Sequence, residues 1–103
     1  MAAHIVVLYN APTDPAAFEA YYMGTHVPIA KKIPGLGKYT ITRGAIGAAQ
    51  GTSPYYMIAD LEFESMDAIQ KALTSPEGAA AAQDVPNFAS GGATILMHEV
   101  QEL

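Results

Sequence analysis

HIVVLYN, residues 4–10, is the stretch whose reading decides the fold. It is β-branched and apolar, is followed by the turn-forming APTDP, and reads as a strand. Successive side chains of a strand point to opposite faces. Here both sets are apolar: Val6 and Leu8 on one face, Ile5, Val7 and Tyr9 on the other. An antiparallel sheet with one wet face carries polar residues at alternate positions. This strand therefore calls for cover on both sides.

Working outward, Asp14 and Pro15 fit a helix N-cap and first helical position. The helix is predicted through Phe18, Tyr22 and Ile29 to about Ile33, where Pro34 and Gly35 stop it. GKYTITRGAI (37–46) alternates as a second strand with Tyr39, Ile41 and Arg43 on one face, and runs into a Gly- and Ala-rich loop. YYMIADLEFE (55–64) is a third strand, with Tyr55, Met57, Ala59, Leu61 and Phe63 to one side. Ser65 and Ser75 are placed to cap two short helices, MDAIQKAL and PEGAAAAQD, and GGATILMHEVQEL closes the chain as a fourth strand. The order β-α-β-β-α-β is the ferredoxin-like split pattern, an α+β fold with a four-stranded antiparallel sheet. The fourth strand is again apolar on both faces, with Ile95 and Met97 opposed to Leu96 and Val100. Two helices cover one face, so the natural cover for the other is a second copy of the chain, giving a homodimer through sheet faces.

At 103 residues the chain is a single domain, 1–103. A net charge of -5 and a pI near 4.9 argue against nucleic acid and against an anionic membrane as partners. Lys31 and Lys32 are the only adjacent basic pair, no apolar run nears the ~20 residues of a membrane span, and no signal peptide is recognisable. With no cysteine, thiolate chemistry and disulfides are excluded, and a cytoplasmic location is expected.

YYMGTHVPIAKKIPG (21–35) carries the candidate chemistry. Pro28 has no N–H and crowds the carbonyl of Gly24, and Val27 before it is pushed from helical geometry. The segment 24–27 is thus expected as an irregular turn, with a glycine where the crowding is greatest. On a 100° wheel Phe18, Tyr22, Ile29 and Ile33 form one stripe, and His26 lies at its edge between core and solvent. There it serves either proton transfer or the plainer task of capping a carbonyl at the kink. Tyr39 and Arg43 share a strand face and would suit a carboxylate or enolate, unless Arg43 is simply solvated on an edge strand. Tyr9 and Tyr22 are candidate pocket residues, or ordinary tyrosines of a half-buried sheet. Asp84, at the unfavourable C-terminal end of a helix dipole, calls for a partner such as His26 or a backbone N–H, or else is solvated. His4 and His98 become neighbours if the outer strands pair antiparallel, with Glu99 or Glu102 as company. No recognised metal spacing supports that set, and neither a metal nor any other cofactor is expected.

Thr25-His26-Val27-Pro28 followed by Pro34-Gly35, supported by Asp84, Asn87 and Phe88, resembles the EthD family, and the likeness covers nearly the whole chain. The resemblance implies a dimeric α+β barrel, in which two ferredoxin-like sheets pack face to face around a cavity, and a place in a catabolic pathway such as ethyl tert-butyl ether degradation. It implies that the cavity binds a small apolar or aromatic intermediate. In the enzyme reading His26 is the acid/base and Tyr39 or Arg43 steadies an oxyanion, in a cofactor-free isomerisation or oxygenation. Tyr9, Tyr22, Asp84 and Phe88 are then expected to bind substrate. In the alternative reading the protein is a non-catalytic accessory or ligand-binding partner of a separate oxygenase system.

Overall fold

The computed structural model describes residues 2–103. Its elements run β1 (Ala3–Asn10), α1 (Pro15–Tyr21), a π-helical turn (Tyr22–His26), α2 (Val27–Ala30), β2 (Tyr39–Ile41), β3 (Tyr55–Phe63), α3 (Met66–Thr74), α4 (Pro76–Asp84), a 3-10 turn (Val85–Asn87) and β4 (Ala93–Glu99). The strands form one antiparallel sheet in the order β2-β3-β1-β4. This is the expected ferredoxin-like arrangement, although β2 is only three residues long and β4 stops at Glu99.

Local signals set the helices. The Asp14 carboxylate accepts the Ala17 N–H at 3.1 Å, and the Ser65 and Ser75 hydroxyls accept from Ala68 and Gly78, each three residues on. These bonds satisfy donors that a helix N-terminus leaves open. Gly35 follows the helical stretch that begins at Pro15 and has φ +80, a backbone region that favours glycine. Gly78 lets α4 fold back on α3: a Cβ there would lie 1.9 Å from the Ala72 carbonyl oxygen.

Register fixes which face is buried. Ile5 opposes Leu61 and Val7 opposes Ala59, and these four are buried with Ala3, Tyr9, Met57 and Phe63. All four helices cover this face through Phe18, Tyr22, Ala30, Ile69, Ala72 and Ala81. The opposite face keeps Val6 and Leu8 half-buried and Leu96 49% exposed. On β4, Ile95 and Met97 are also uncovered, at 44% and 42%, because this edge strand reaches past the helices. No helix among the described residues is long and apolar enough to cross a membrane.

Candidate functional site

The site begins with a spacing. Phe18, Tyr22, His26 and Ala30 recur every four residues, and all four are buried. In an α-helix each four-residue step overshoots one turn by about 40°, so such a stripe winds off the core. The π turn removes the drift. The Val27 N–H bonds the Tyr22 carbonyl, five residues back, and the wider turn makes the next step fall short instead. The same widening answers Pro28, whose ring would press on the carbonyl four residues back in an α register.

This corrects the expected irregular turn. Val27 keeps helical angles (φ -57, ψ -47), so the chain stays helical through the proline. Position 24 does not need a glycine for space either, since a Cβ there would meet nothing within 4 Å outside its own helix. His26 moves from the edge of the stripe to its centre and is 5% exposed, while Ile29 is only half-buried.

Asp84, the last residue of α4, faces His26 across the helical layer. Its Oδ2 lies 2.9 Å from His26 Nδ1. Its Oδ1 accepts from the Tyr21 hydroxyl at 2.6 Å and from the Asn87 amide at 3.0 Å, the 3-10 turn carrying Asn87 back to it. Burial opposes ionisation of this carboxyl, but the hydrogen bonds from Tyr21, Asn87 and His26 outweigh it and hold its pKa below the ordinary value. An ionised Asp84 accepts the Nδ1 proton, which leaves Nε2 of a neutral imidazole with its lone pair. Nε2 has no protein partner, yet no fully buried side-chain N or O among the described residues lacks one. Nε2 therefore faces open space.

That space is a cavity of about 60 Å³ between the sheet and the helices. By water count it holds roughly four or five molecules, the room of one six-membered ring. Its wall is mostly apolar, with Ile5, Val7, Leu61, Ala81 and Ile95 prominent, and His26, Tyr9, Tyr22 and Tyr39 complete it. The Tyr22 and Tyr39 hydroxyls are 2.6 Å apart and tie the π turn to β2. Burial, followed by the neighbouring phenols, pushes the Tyr9 and Tyr22 pKa values far above the ordinary range, and burial also raises that of Tyr39. All three stay neutral hydrogen-bonding groups at ordinary pH.

Of the residues singled out from the sequence, His26, Tyr9, Tyr22 and Tyr39 thus meet at one cavity. Asp84 and Phe88 stand behind it. Asp84 orients the imidazole, and the Phe88 ring packs 4.7 Å from it at the centre of an aromatic cluster with Tyr9, Phe18, Tyr21 and Tyr22. Arg43 lies elsewhere: β2 ends at Ile41, and Arg43 is exposed beside Glu19 and Met23 in a separate shallow groove. The cavity itself lies on the helix-covered face of a single chain, so it is not a space enclosed between two sheets. His4 and His98 do pair across β1 and β4, with rings stacked 5.5 Å apart, but His4 bonds Asp60, and no set of three metal-binding side chains gathers among the described residues. Tyr21 was not foreseen. Its signal was its place five residues before His26, which reads as the same face only once the π turn is known.

The model of the EthD domain family matches residues 10–92. A protein described as an uncharacterized 11.0 kDa protein in the thcB-thcC intergenic region of Rhodococcus erythropolis is 43% identical over 93 residues, covering 89% of this chain and 88% of its own. The crystal structure of an ethyl tert-butyl ether (EthD) family protein from Bacillus halodurans is 32% identical with a TM-score of 0.88, covering 98% of this chain and 100% of that one. SnoaB, a cofactor-independent oxygenase from Streptomyces nogalater, shares the fold at 15% identity and a TM-score of 0.68, covering 99% and 95%. Two further proteins of this fold, from Bacteroides fragilis and Thermobifida fusca, are described as dimeric.

Proposed function

The chain belongs to the EthD family, and from that premise we propose that it binds a small apolar or aromatic intermediate of a catabolic pathway in the His26 cavity and moves a proton on it without a bound cofactor. The observation that carries this reading is the buried Asp84–His26 pair with the second ring nitrogen open to an apolar cavity. A base held in one tautomer by a buried carboxylate, at the wall of a mostly apolar space, has the arrangement general base catalysis requires. His26 takes the proton at Nε2, Asp84 steadies the imidazolium that results, and a hydroxyl of the Tyr22–Tyr39 pair lies ready to donate to a developing oxyanion. Arg43 has no part in this scheme. Isomerisation is the simplest outcome; oxygenation has its support in the shared fold of SnoaB.

The test is a His26→Ala variant examined for ligand binding and for function in the pathway of its host. Loss of turnover with retained folding supports the proposal. A variant that binds ligand and serves the pathway as well as the parent favours the accessory reading, in which the cavity only carries or protects a hydrophobic compound.

The open sheet face supports a second proposal, that the protein is a homodimer. Val6, Leu8 and Leu96 leave an apolar surface on the side without helices, and proteins of the same fold are described as dimeric. Light scattering should give about twice 10.8 kDa; a stable monomer at micromolar concentration refutes this pairing. The His26 cavity, lying on the other face, does not depend on it.

A further inference from the structure

We infer that the cavity selects a neutral, oxygen-bearing ring compound, a phenol or an enolisable ketone, and rejects carboxylates; the inference rests on the reading of this cavity as the ligand site. The first ground is charge. Among the described residues no lysine or arginine contributes to the wall. The only wall group among the described residues able to become a cation is His26, and its charge is already matched by the buried Asp84 carboxylate at 2.9 Å. An anionic ligand entering this space would lose its water and gain no counter-charge. The position of Arg43, exposed beyond β2, removes the one group that would have supplied it.

The second ground is a count of hydrogen-bonding positions. Two hydroxyls that share one hydrogen bond use one of their two protons, so the Tyr22–Tyr39 pair always keeps one O–H to give. The Tyr9 hydroxyl joins the pair through a hydrogen bond with that of Tyr22. Tyr9 packs against Tyr22 with ring centroids 5.8 Å apart. Three hydroxyls joined in an open chain by two hydrogen bonds keep one O–H to give, so the count holds. The cavity thus offers one phenolic donor and one imidazole acceptor in an apolar lining. A phenol satisfies both with one oxygen, donating to Nε2 and accepting from the tyrosine. A ketone accepts the tyrosine proton and presents its acidic C–H to Nε2. In that case the proton passes to Nε2, the C–H electron pair becomes the enolate and its charge rests on the oxygen held by the phenol. Return of the proton to a conjugated carbon completes an isomerisation with no other reactant.

Three probes of one ring and one substituent separate the alternatives: phenol, toluene and benzoate, titrated at pH 7 into isotope-labelled protein while the His26, Tyr39 and Ile95 resonances are followed. Phenol is expected to bind at least tenfold more tightly than toluene, with shifts centred on those three residues, and benzoate to leave them unmoved. Equal binding of phenol and toluene overturns the ligand class and leaves the cavity as a ligand site. Preferential binding of benzoate overturns the class as well. No shift at these residues with any probe at millimolar concentration overturns the cavity reading itself.

Discussion

Two histidine–aspartate pairs occur among the described residues, and the closer of them is the less consequential. His4 Nδ1 and Asp60 Oδ1 are 2.5 Å apart on the open face of the sheet, against 2.9 Å for His26 and Asp84 beneath the helices. The first pair is 19% and 42% exposed, the second 7% and 7%. At the open face water screens the attraction and competes for both partners. Glu62 lies within 3.7 Å of the other His4 nitrogen, so that ring has carboxylates on both sides and no cavity to address. At the buried pair every contact is specified: Tyr21 and Asn87 fill one carboxylate oxygen, His26 takes the other, and the remaining ring nitrogen opens into the cavity. Burial and complete hydrogen bonding, more than proximity, distinguish a site from a surface contact.

The largest expected effect follows from that contrast. Asp84→Ala leaves the His26 Nδ1–H, the Tyr21 hydroxyl and the Asn87 amide without their acceptor, and should cost about 3–5 kcal/mol in urea denaturation. Asp60→Ala removes a screened pair and should cost no more than ~1 kcal/mol. Equal losses at the two positions would break the comparison.

Acid should sharpen it. Because the Asp84 carboxyl is held below its ordinary pKa in the folded protein, the unfolded chain takes up this proton first as pH falls. The contribution is complete above the unfolded value of about 3.9 and is lost as pH drops through the lower folded value. Denaturation midpoints measured from pH 6 to pH 2 should show this limb in the parent and a shallower one in Asp84→Asn. An unchanged limb would mean that hydrogen bonds do not outweigh burial at this carboxyl.

Much of this was legible in the sequence, and what was not has a physical cause. The strands, the division of each into two faces and the three helix caps follow from alternation and from Asp14, Ser65 and Ser75, which are local signals. Asp84 was legible because a carboxylate at a helix C-terminus needs a reason to be there. His26 was legible as a residue but misplaced in burial, because a wheel of fixed angle has no means of seeing one wider turn. Alternation alone puts Arg43 on a strand face, but β2 ends two residues earlier, at Ile41, ahead of the Gly- and Ala-rich loop. The family likeness implies a cavity between two sheets, while the cavity lined by Tyr9 and Tyr22 lies beneath the helices of one chain. Periodicity separates the two faces of a strand; it does not say which face the helices choose.

The smallest effects test the π turn itself. Gly24→Ala places a methyl in empty space on a helical backbone and should stabilise by about 0.5–1 kcal/mol, as read from thermal melts. Pro28→Ala should change stability less still, within about 1 kcal/mol in either direction. The proline is one of two reasons for the wide turn, and the other, the buried spacing of Phe18, Tyr22, His26 and Ala30, remains in the variant. What the proline adds is exclusion of the α register between Tyr22 and Pro28. Without it that register becomes accessible as a minor state, in which His26 turns away from Asp84 by a large part of the ~100° that separates successive helical residues. The ring proton shared with Asp84 should then exchange faster with solvent in NMR spectra of Pro28→Ala, while the His4 ring, on the far face of the sheet, serves as the unaffected control. A variant that unfolds would show that Pro28 is needed for packing. Unaltered exchange at His26 would show that the spacing alone holds the turn.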